Sequence, residues 1–346
     1  MKWFVRALLG AVLALGAGEA MAQTAAISLS IPPTARANAM GEAYVALAED
    51  ATGAWWNPGA TGFLAKRDAS MTHAQLVPDL ASDVFHDYFA MAFPVKNVGV
   101  FSGSFLYLSY GESEARGPSG EDFGSFRSYE FAPAISYGVE LEHQVGIGMT
   151  FKYVRVQLAP DLPFLPPGAG TGSTVAFDFG ALWKIPGDRV NVGAALQNMG
   201  PDITFIEGDG SPGSDPVKDP IYRNLKMGVA GTVYNKNSLS VLLLGDYNQL
   251  LVKGEIRDTS GAVRRRYGKP IWNGGGELAY KMNDVAVALR GGYVQDTDGS
   301  ISDPTYGLGL SYKVLRVDFA SIPQAEDKNT GTKLDRVKKF SLSARF

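Results

Sequence analysis

The sequence predicts an all-β chain, a transmembrane antiparallel β-barrel of about fourteen strands preceded by a short N-terminal helical hatch or plug. Three observations carry that reading. The chain opens with an export signal, its later residues alternate apolar and polar with a period of two, and the connections between the resulting strands alternate short and long.

The export signal comes first. Lys2 and Arg6 make a positive start, Ala7 to Ala17 is an apolar stretch interrupted by Gly10 and Gly16, and Ala20-Met21-Ala22 supplies small residues at both recognition positions of a signal peptidase. The expectation is a cleaved signal peptide over residues 1–22, with Gln23 as the new N-terminus; an uncleaved anchor is the alternative. The apolar run is about half of the roughly 20 residues that a helix needs to cross a bilayer, and no later segment offers a helical span. The 346 residues hold no cysteine, which excludes disulfides, thiolate metal sites and cysteine nucleophiles. A net charge of −3 with mixed signs gives no basic stripe for nucleic acid. Mean hydropathy of −0.04 suits a barrel, whose lipid-facing and lumen-facing residues cancel in the average.

Alternation is clearest between residues 145 and 184. Val145, Ile147, Met149, Phe151 and Tyr153 are apolar, and Gly146, Gly148, Thr150 and Lys152 between them are small or polar. Val175, Phe177, Phe179, Ala181 and Trp183 repeat the pattern, as do Val285, Val287, Leu289 and Tyr293. On a helix these side chains would scatter, whereas on a strand they form one apolar face. Runs bounded by turn residues place strand starts near Asp68, Phe85, Val98, Phe126, His143, Gly172 and Asp188. Further starts fall near Tyr222, Ser238, Pro270, Asp284, Thr305, Leu315 and Arg336.

Short turns are expected at 96–97, 138–142, 186–188, 235–237, 282–283 and 313–314. Between them lie long loops at 111–125, 159–171, 199–221, 251–269 and 323–335. Outer-membrane barrels have this asymmetry, with short periplasmic turns and long extracellular loops. It predicts an integral protein of the bacterial outer membrane with both termini in the periplasm. At the chain end Phe340, Leu342, Ala344 and Phe346 alternate with Ser341, Ser343 and Arg345. They are candidates for the closing strand and for the signal that barrel-assembly machinery reads.

Residues 23–67 differ in kind from the barrel at 68–346. Ala35 to Ala48 is rich in alanine, with Met40, Tyr44 and Leu47 at helical spacing, and leads to an aromatic turn, Trp55-Trp56, stopped by Asn57-Pro58-Gly59. A periplasmic tether and a lumenal plug both fit. A barrel of about fourteen strands encloses more space than its wall side chains fill, since about eight strands just fill theirs. The candidate hatch residues are Met40, Gly41, Tyr44, Trp55, Trp56, Asn57, Pro58 and Gly59.

The segments Ala35 to Asp50 and Trp55-Trp56-Asn57-Pro58-Gly59-Ala60 resemble the PorV/PorQ family of outer-membrane proteins, relatives of the FadL-type transporters of hydrophobic compounds. Here Asn38 replaces a usual glycine, and Gly59-Ala60 inverts a usual Ala-Gly. Val317-Asp318-Phe319-Ala320 and Phe340-Ser341-Leu342-Ser343 resemble the family ending, while the middle matches in strand architecture alone. The resemblance implies a fourteen-strand barrel with an N-terminal hatch. It also implies one of two roles: an accessory of type IX secretion that carries folded cargo to a surface attachment complex, or a conduit for hydrophobic molecules.

No catalytic site, metal site or cofactor is expected. His73, His86 and His143 fall on or near different strands, and no Gly-x-Ser-x-Gly elbow occurs. Gly168 to Gly172 lacks the Lys-Ser/Thr ending and following helix of a phosphate loop. The phase of the strands turns Lys152, Asp178, Lys226, Arg290, Arg316, Asp318 and Arg345 inward, as a network clamping the hatch or a selectivity filter. Leu162, Phe164 and Leu165, in a proline-rich loop, are candidates for contact with a ligand or partner, or for a cap over the barrel. Expected partners are outer-membrane lipid and lipopolysaccharide (near Arg264 to Arg266), barrel-assembly machinery, and either secretion-system proteins and cargo or a hydrophobic ligand.

Overall fold

The computed structural model describes residues 24–47, 49–78, 80–163, 168, 170–187, 189–205, 217–257, 263–325 and 335–346. Three short helices come first: α1 (Ala35–Ala39), α2 (Gly53–Trp56) and α3 (Pro58–Thr61). Strands follow as β1 (Asp68–Gln75), β2 (Val84–Val95), β3 (Gly99–Arg116), β4 (Asp122–Leu141), β5 (Val145–Gln157), β6 (Thr171–Lys184) and β7 (Val190–Met199). A small hairpin, β8 (Ile203–Phe205) with β9 (Val217–Asp219), precedes β10 (Asn224–Lys236) and β11 (Leu239–Leu250). A second, β12 (Lys253–Arg257) with β13 (Val263–Tyr267), precedes the last five strands. These are β14 (Ile271–Met282), β15 (Val285–Asp296), β16 (Ile301–Tyr312), β17 (Leu315–Ile322) and β18 (Val337–Arg345).

Without the two hairpins the strands form a closed antiparallel barrel of fourteen, each paired with its neighbour along the chain, and β1 pairs with β18 to shut it. The wall is inverted relative to a soluble protein. On β5, Ile147, Met149, Phe151 and Tyr153 are exposed, while Gly146, Thr150, Lys152, Val154 and Val156 are buried. Exposed aromatics gather toward both rims, with Trp272, Tyr293 and Tyr306 near one and Trp183, Tyr280 and Tyr312 near the other. Apolar bands bounded by such girdles match a bilayer and its two interfaces.

Every expected barrel strand is present, and four expectations on detail need correction. The first is the loop at 111–125, where β3 and β4 continue as paired strands to Arg116↔Asp122. Those residues run past Tyr110 and Tyr129, the last to pair with β2 and β5; Glu112, Glu114 and Arg116 are exposed on one face, Gly111 and Ala115 are buried on the other, and no run of large apolar residues marks the projecting hairpin. Secondly, the turn expected at 138–142 sits at Glu142–Gln144, since β4 runs on to Leu141.

The third correction is to the helix expected over 35–48, which ends at Ala39 because Gly41 (φ 68°) and Glu42 (φ 63°) are left-handed. The two tryptophans, expected in a turn, form α2, and Asn57 caps α3 by accepting from the Gly59 N–H at 3.0 Å.

The fourth concerns the chain ends. The connections β2–β3, β4–β5, β6–β7, β10–β11, β14–β15 and β16–β17 span no more than five residues each and share one end of the barrel with Phe346. Ala25 instead bridges to Ile221, beside the start of β10 at the opposite, long-loop end. The two ends of the described chain therefore do not share a side, because the N-terminal segment threads the lumen. The expected signal peptide lies outside the described residues.

Phe340 and Leu342 are 52% and 51% exposed on β18, and the alternate residues Lys339 and Ser341 are buried. Changing both Phe340 and Leu342 to Lys puts charge in lipid at roughly 2–4 kcal/mol each near the midplane. The expected outcome is loss of heat-modifiable barrel from the outer membrane, read by gel mobility of unboiled samples; normal barrel would contradict the lipid-facing placement.

Candidate functional site

The site is the barrel interior, occupied by the described residues between 24 and 67. This segment has few helical residues, so most of its backbone N–H groups need partners elsewhere. Wall carboxylates supply several. Glu130 accepts from the N–H of Ile27 (3.2 Å) and Ser28 (2.8 Å), Asp246 from Tyr44 (2.7 Å) and Val45 (3.0 Å), and Asp68 from Ala51 (2.9 Å). Hydroxyls and amides add to these. Ser341 Oγ accepts from Ala35 N–H at 2.9 Å, Thr305 Oγ1 from Gly41 N–H at 2.9 Å, and Asn273 donates to the Gly41 carbonyl at 2.6 Å. Gln197 donates to the carbonyls of Trp55 and Trp56.

One ionic cluster joins plug to wall. Arg36 on α1 pairs with Glu277 on β14 at 3.0 Å and with Glu49 at 3.2 Å. Glu277 also takes Arg290 at 2.6 Å, and Arg290 reaches Asp318 at 2.9 Å, which in turn pairs with Arg316 at 2.9 Å. The Arg290 side chain is fully enclosed. A second buried pair, Lys152–Asp178 at 2.7 Å, lies in the wall below Asn198. Of the charges turned inward by phase, Lys152, Asp178, Lys226, Arg290 and Asp318 are buried, Arg316 is half-buried, and Arg345 reaches Asp68 at the short-turn rim.

The candidate plug residues all lie inside. Met40, Tyr44, Trp56, Asn57, Pro58 and Gly59 are buried, as are Trp55 and Gly41. Trp55 and Trp56 stack edge-on at 4.7 Å, Tyr44 meets Trp56 at 5.6 Å, and the Lys226 ammonium sits 4.9 and 4.5 Å from the two indole centroids. The Tyr44 phenol donates to Asp50 at 3.0 Å and accepts from Arg36 at 3.2 Å.

Close approach of backbone to backbone explains the glycines. A Cβ on Gly275 would lie 2.2 Å from the Met40 carbonyl oxygen, and one on Gly59 would lie 2.5 Å from that of Gly180. Asn57 locks this second contact by donating to the carbonyls of Val45 (2.8 Å) and Ala181 (2.9 Å).

Elsewhere, Leu162 is half-buried in the β5–β6 connection, and Phe164 and Leu165 lie outside the described residues. Phe340, Leu342 and Phe346 face outward, Ala344 is half-buried, and the Phe346 N–H donates to the Arg67 carbonyl at 3.0 Å. Sequence reasoning missed Glu130, Asp246, Asn273, Glu277, Gln197 and Thr305. Each lies in the inward phase of its strand, which is the signal that identifies them. Among the described residues no cluster of His, Asp or Glu has the make-up of a metal site.

The sequence pattern of one family, described as type IX secretion system protein PorV, matches residues 17–253, about two-thirds of the chain. The chain belongs to the PorV family. No curated protein matches it in sequence. Among solved structures, the toluene transporter TodX of Pseudomonas putida has a TM-score of 0.53 at 13% identity, over 90% of this chain and 97% of TodX. A FadL homologue of Pseudomonas aeruginosa reaches 0.51 at 14% identity, over 95% and 99% of the two chains. The monoaromatic hydrocarbon channel CymD reaches 0.53 at 12%, over 90% and 96%. Likeness at such identity is one of fold. Fold and family together make this PorV-family chain an outer-membrane β-barrel with a helical plug.

Glu277 is the shared anion of the plug-to-wall cluster. Removing one partner of a buried ion pair costs about 3–5 kcal/mol, because the remaining charge is left uncompensated. Glu277→Ala is therefore expected to lower the thermal midpoint of the folded barrel and expose 24–67 to protease in detergent. An unchanged midpoint would show that the cluster does not hold the plug.

Proposed function

We propose that this chain is an accessory of protein secretion across the outer membrane, of the type IX kind, that docks secretion-system proteins or their cargo at its rim. The observation that carries this reading is the attachment of the plug around the wall. The plug is bonded to β1, β4, β7, β11, β14, β16 and β18, with glycines at the points of closest approach. An open conduit would have to break many buried contacts at once, so the reading assigns the work to the surfaces. On the same reading, residues 1–22 are removed on export, 23–67 are the hatch, the short-turn end with Phe346 faces the periplasm, and the long loops face outward. Phe340, Leu342, Ala344 and Phe346 would meet the barrel-assembly machinery, and the loop of Leu162, Phe164 and Leu165 is the candidate partner contact.

A second reading, a conduit for hydrophobic molecules, is favoured by one feature of the wall. The β6–β7 register shifts between Phe177 and Phe179, and Asn198 is left-handed there (φ 57°). An apolar hollow of about 610 Å³ lies beside it, lined by Tyr137, Ile147, Met149, Phe179 and Leu196. The neighbours TodX and CymD are described as a toluene transporter and a hydrocarbon channel.

Three experiments test these readings. Purification from the native membrane in mild detergent is expected to bring down stoichiometric secretion proteins; a bound apolar compound without protein partners would favour the conduit. A protease site inserted at Ser119, the tip of the β3–β4 hairpin, is expected to be cut on intact cells, and one at Asn237 to resist; the reverse pattern would invert the orientation. Replacing Trp55 and Trp56 with Ala, at roughly 3–5 kcal/mol each if fully buried, is expected to leave the barrel inserted but to raise uptake of small hydrophilic dyes. Unchanged uptake would remove the plug from the seal.

A further inference from the structure

Beneath the plug, at the short-turn end, the lumen keeps a hollow of about 740 Å³. Its ceiling is apolar, made by Leu47, Phe63 and Leu64 of the plug segment with Leu182 and Leu242 of the wall. Its mouth is basic. Lys66 stands just before β1, Lys184 ends β6, and Arg189 precedes β7. Among the described residues none of these three has a carboxylate partner; Lys184 instead lies 4.1 Å from the centre of the Phe63 ring. Arg345 also lines the hollow but is held by Asp68 at 3.0 Å, and the lone lining carboxylate, Glu49, is held by Arg36.

We propose that this hollow binds an acidic peptide segment in which carboxylates alternate with apolar residues, offered by a protein on the short-turn side. The arrangement of the cations selects that ligand. Lys66 lies two residues before β1, and β6 and β7 stand five and six places from β1 round the ring of fourteen, so the three cations are spaced along the mouth and not gathered at one point. A single headgroup on an apolar tail answers one point of such a mouth; a peptide with spaced carboxylates answers more than one. Low-dielectric walls concentrate the field of unpaired cations at the opening, and the volume lies within the roughly 300–1,000 Å³ usual for ligand pockets. The apolar ceiling gives the alternate residues a place to bury. The inference stands on this geometry and is independent of the secretion reading.

The test uses the full-length barrel in detergent and a fluorescein-labelled, capped octapeptide alternating Glu and Leu, followed by anisotropy. Binding is expected, with Glu–Ser and Lys–Leu octapeptides each at least about tenfold weaker. K184E/R189E is expected to weaken the Glu–Leu peptide at least about tenfold. K236E/K313E, the same charge change at the same rim but outside the hollow, is expected to leave it within about twofold. Heat-modifiable mobility confirms that each variant is folded. Equal loss in both variants would reduce the effect to overall rim charge and overturn the site. So would equal binding of the Lys–Leu peptide, or no binding to the parent. Displacement by inorganic phosphate beyond that of chloride at equal ionic strength would make the hollow a small-anion site and overturn the peptide assignment.

Discussion

Inside a bilayer no water is available to backbone N–H and C=O groups, so a sheet that spans it must close on itself. Here closure falls on one seam, β1 against β18, paired from Asp68↔Arg345 to Gln75↔Lys338. Most other features follow from that seam. A closed wall needs an apolar outer face, and the period of two then turns every second residue inward, which is why the lumen is polar. A polar lumen of this width is filled here by a segment poor in regular structure. The match is chemical: the segment brings unpaired backbone N–H groups, and the wall meets them with Glu130, Asp246 and Asp68.

The plug is held in two different ways. Around α1 the attachment is ionic, through Arg36, Glu277, Arg290 and Asp318. Around α3 it is steric, with Pro58 and Gly59 seated against Gly148, Gly180 and Gly146, where any side chain would collide with backbone or ring. Salt and charge reversal act on the first and leave the second in place; added volume acts on the second. A barrel that released its plug during function would need a weak side, and neither attachment supplies one within the described residues. The register shift between β6 and β7 lies in the wall, not in the plug's fastening.

The strands were legible because lipid enforces alternation wherever the wall spans it. All fourteen starts fall within a few residues of the sequence reading. Legibility failed where that constraint lapses. The β3–β4 extension carries Glu112, Glu114, Arg116 and Arg127 beyond the membrane, and Gly111, Gly117, Gly120 and Gly124 read as loop. Within the plug, helical spacing of Met40, Tyr44 and Leu47 suggested a helix, and all three are buried, but wall contacts at Gly41 broke the regular path. Glu130 and Asp246 passed unnoticed because inward phase alone does not reveal which backbone they meet. The position of the N-terminal segment at the long-loop end had no sequence signal at all.

That position brings hatch and seam into contact. The segment bridges to Ile221 at one end and passes Asp68 toward the other, so it runs the length of the lumen. The last strand also holds it: Ser341 accepts from Ala35 N–H, and the Lys339 ammonium donates to the Pro32 carbonyl, across 306 and 307 residues of chain. Ser341 at the same time meets Thr72 of β1 at 2.7 Å, across the seam itself. One side chain therefore contacts first strand, last strand and plug. Contacts so distant in sequence form only after the intervening loop entropy has been overcome, and Ser341 places that contact on the seam that closes the wall.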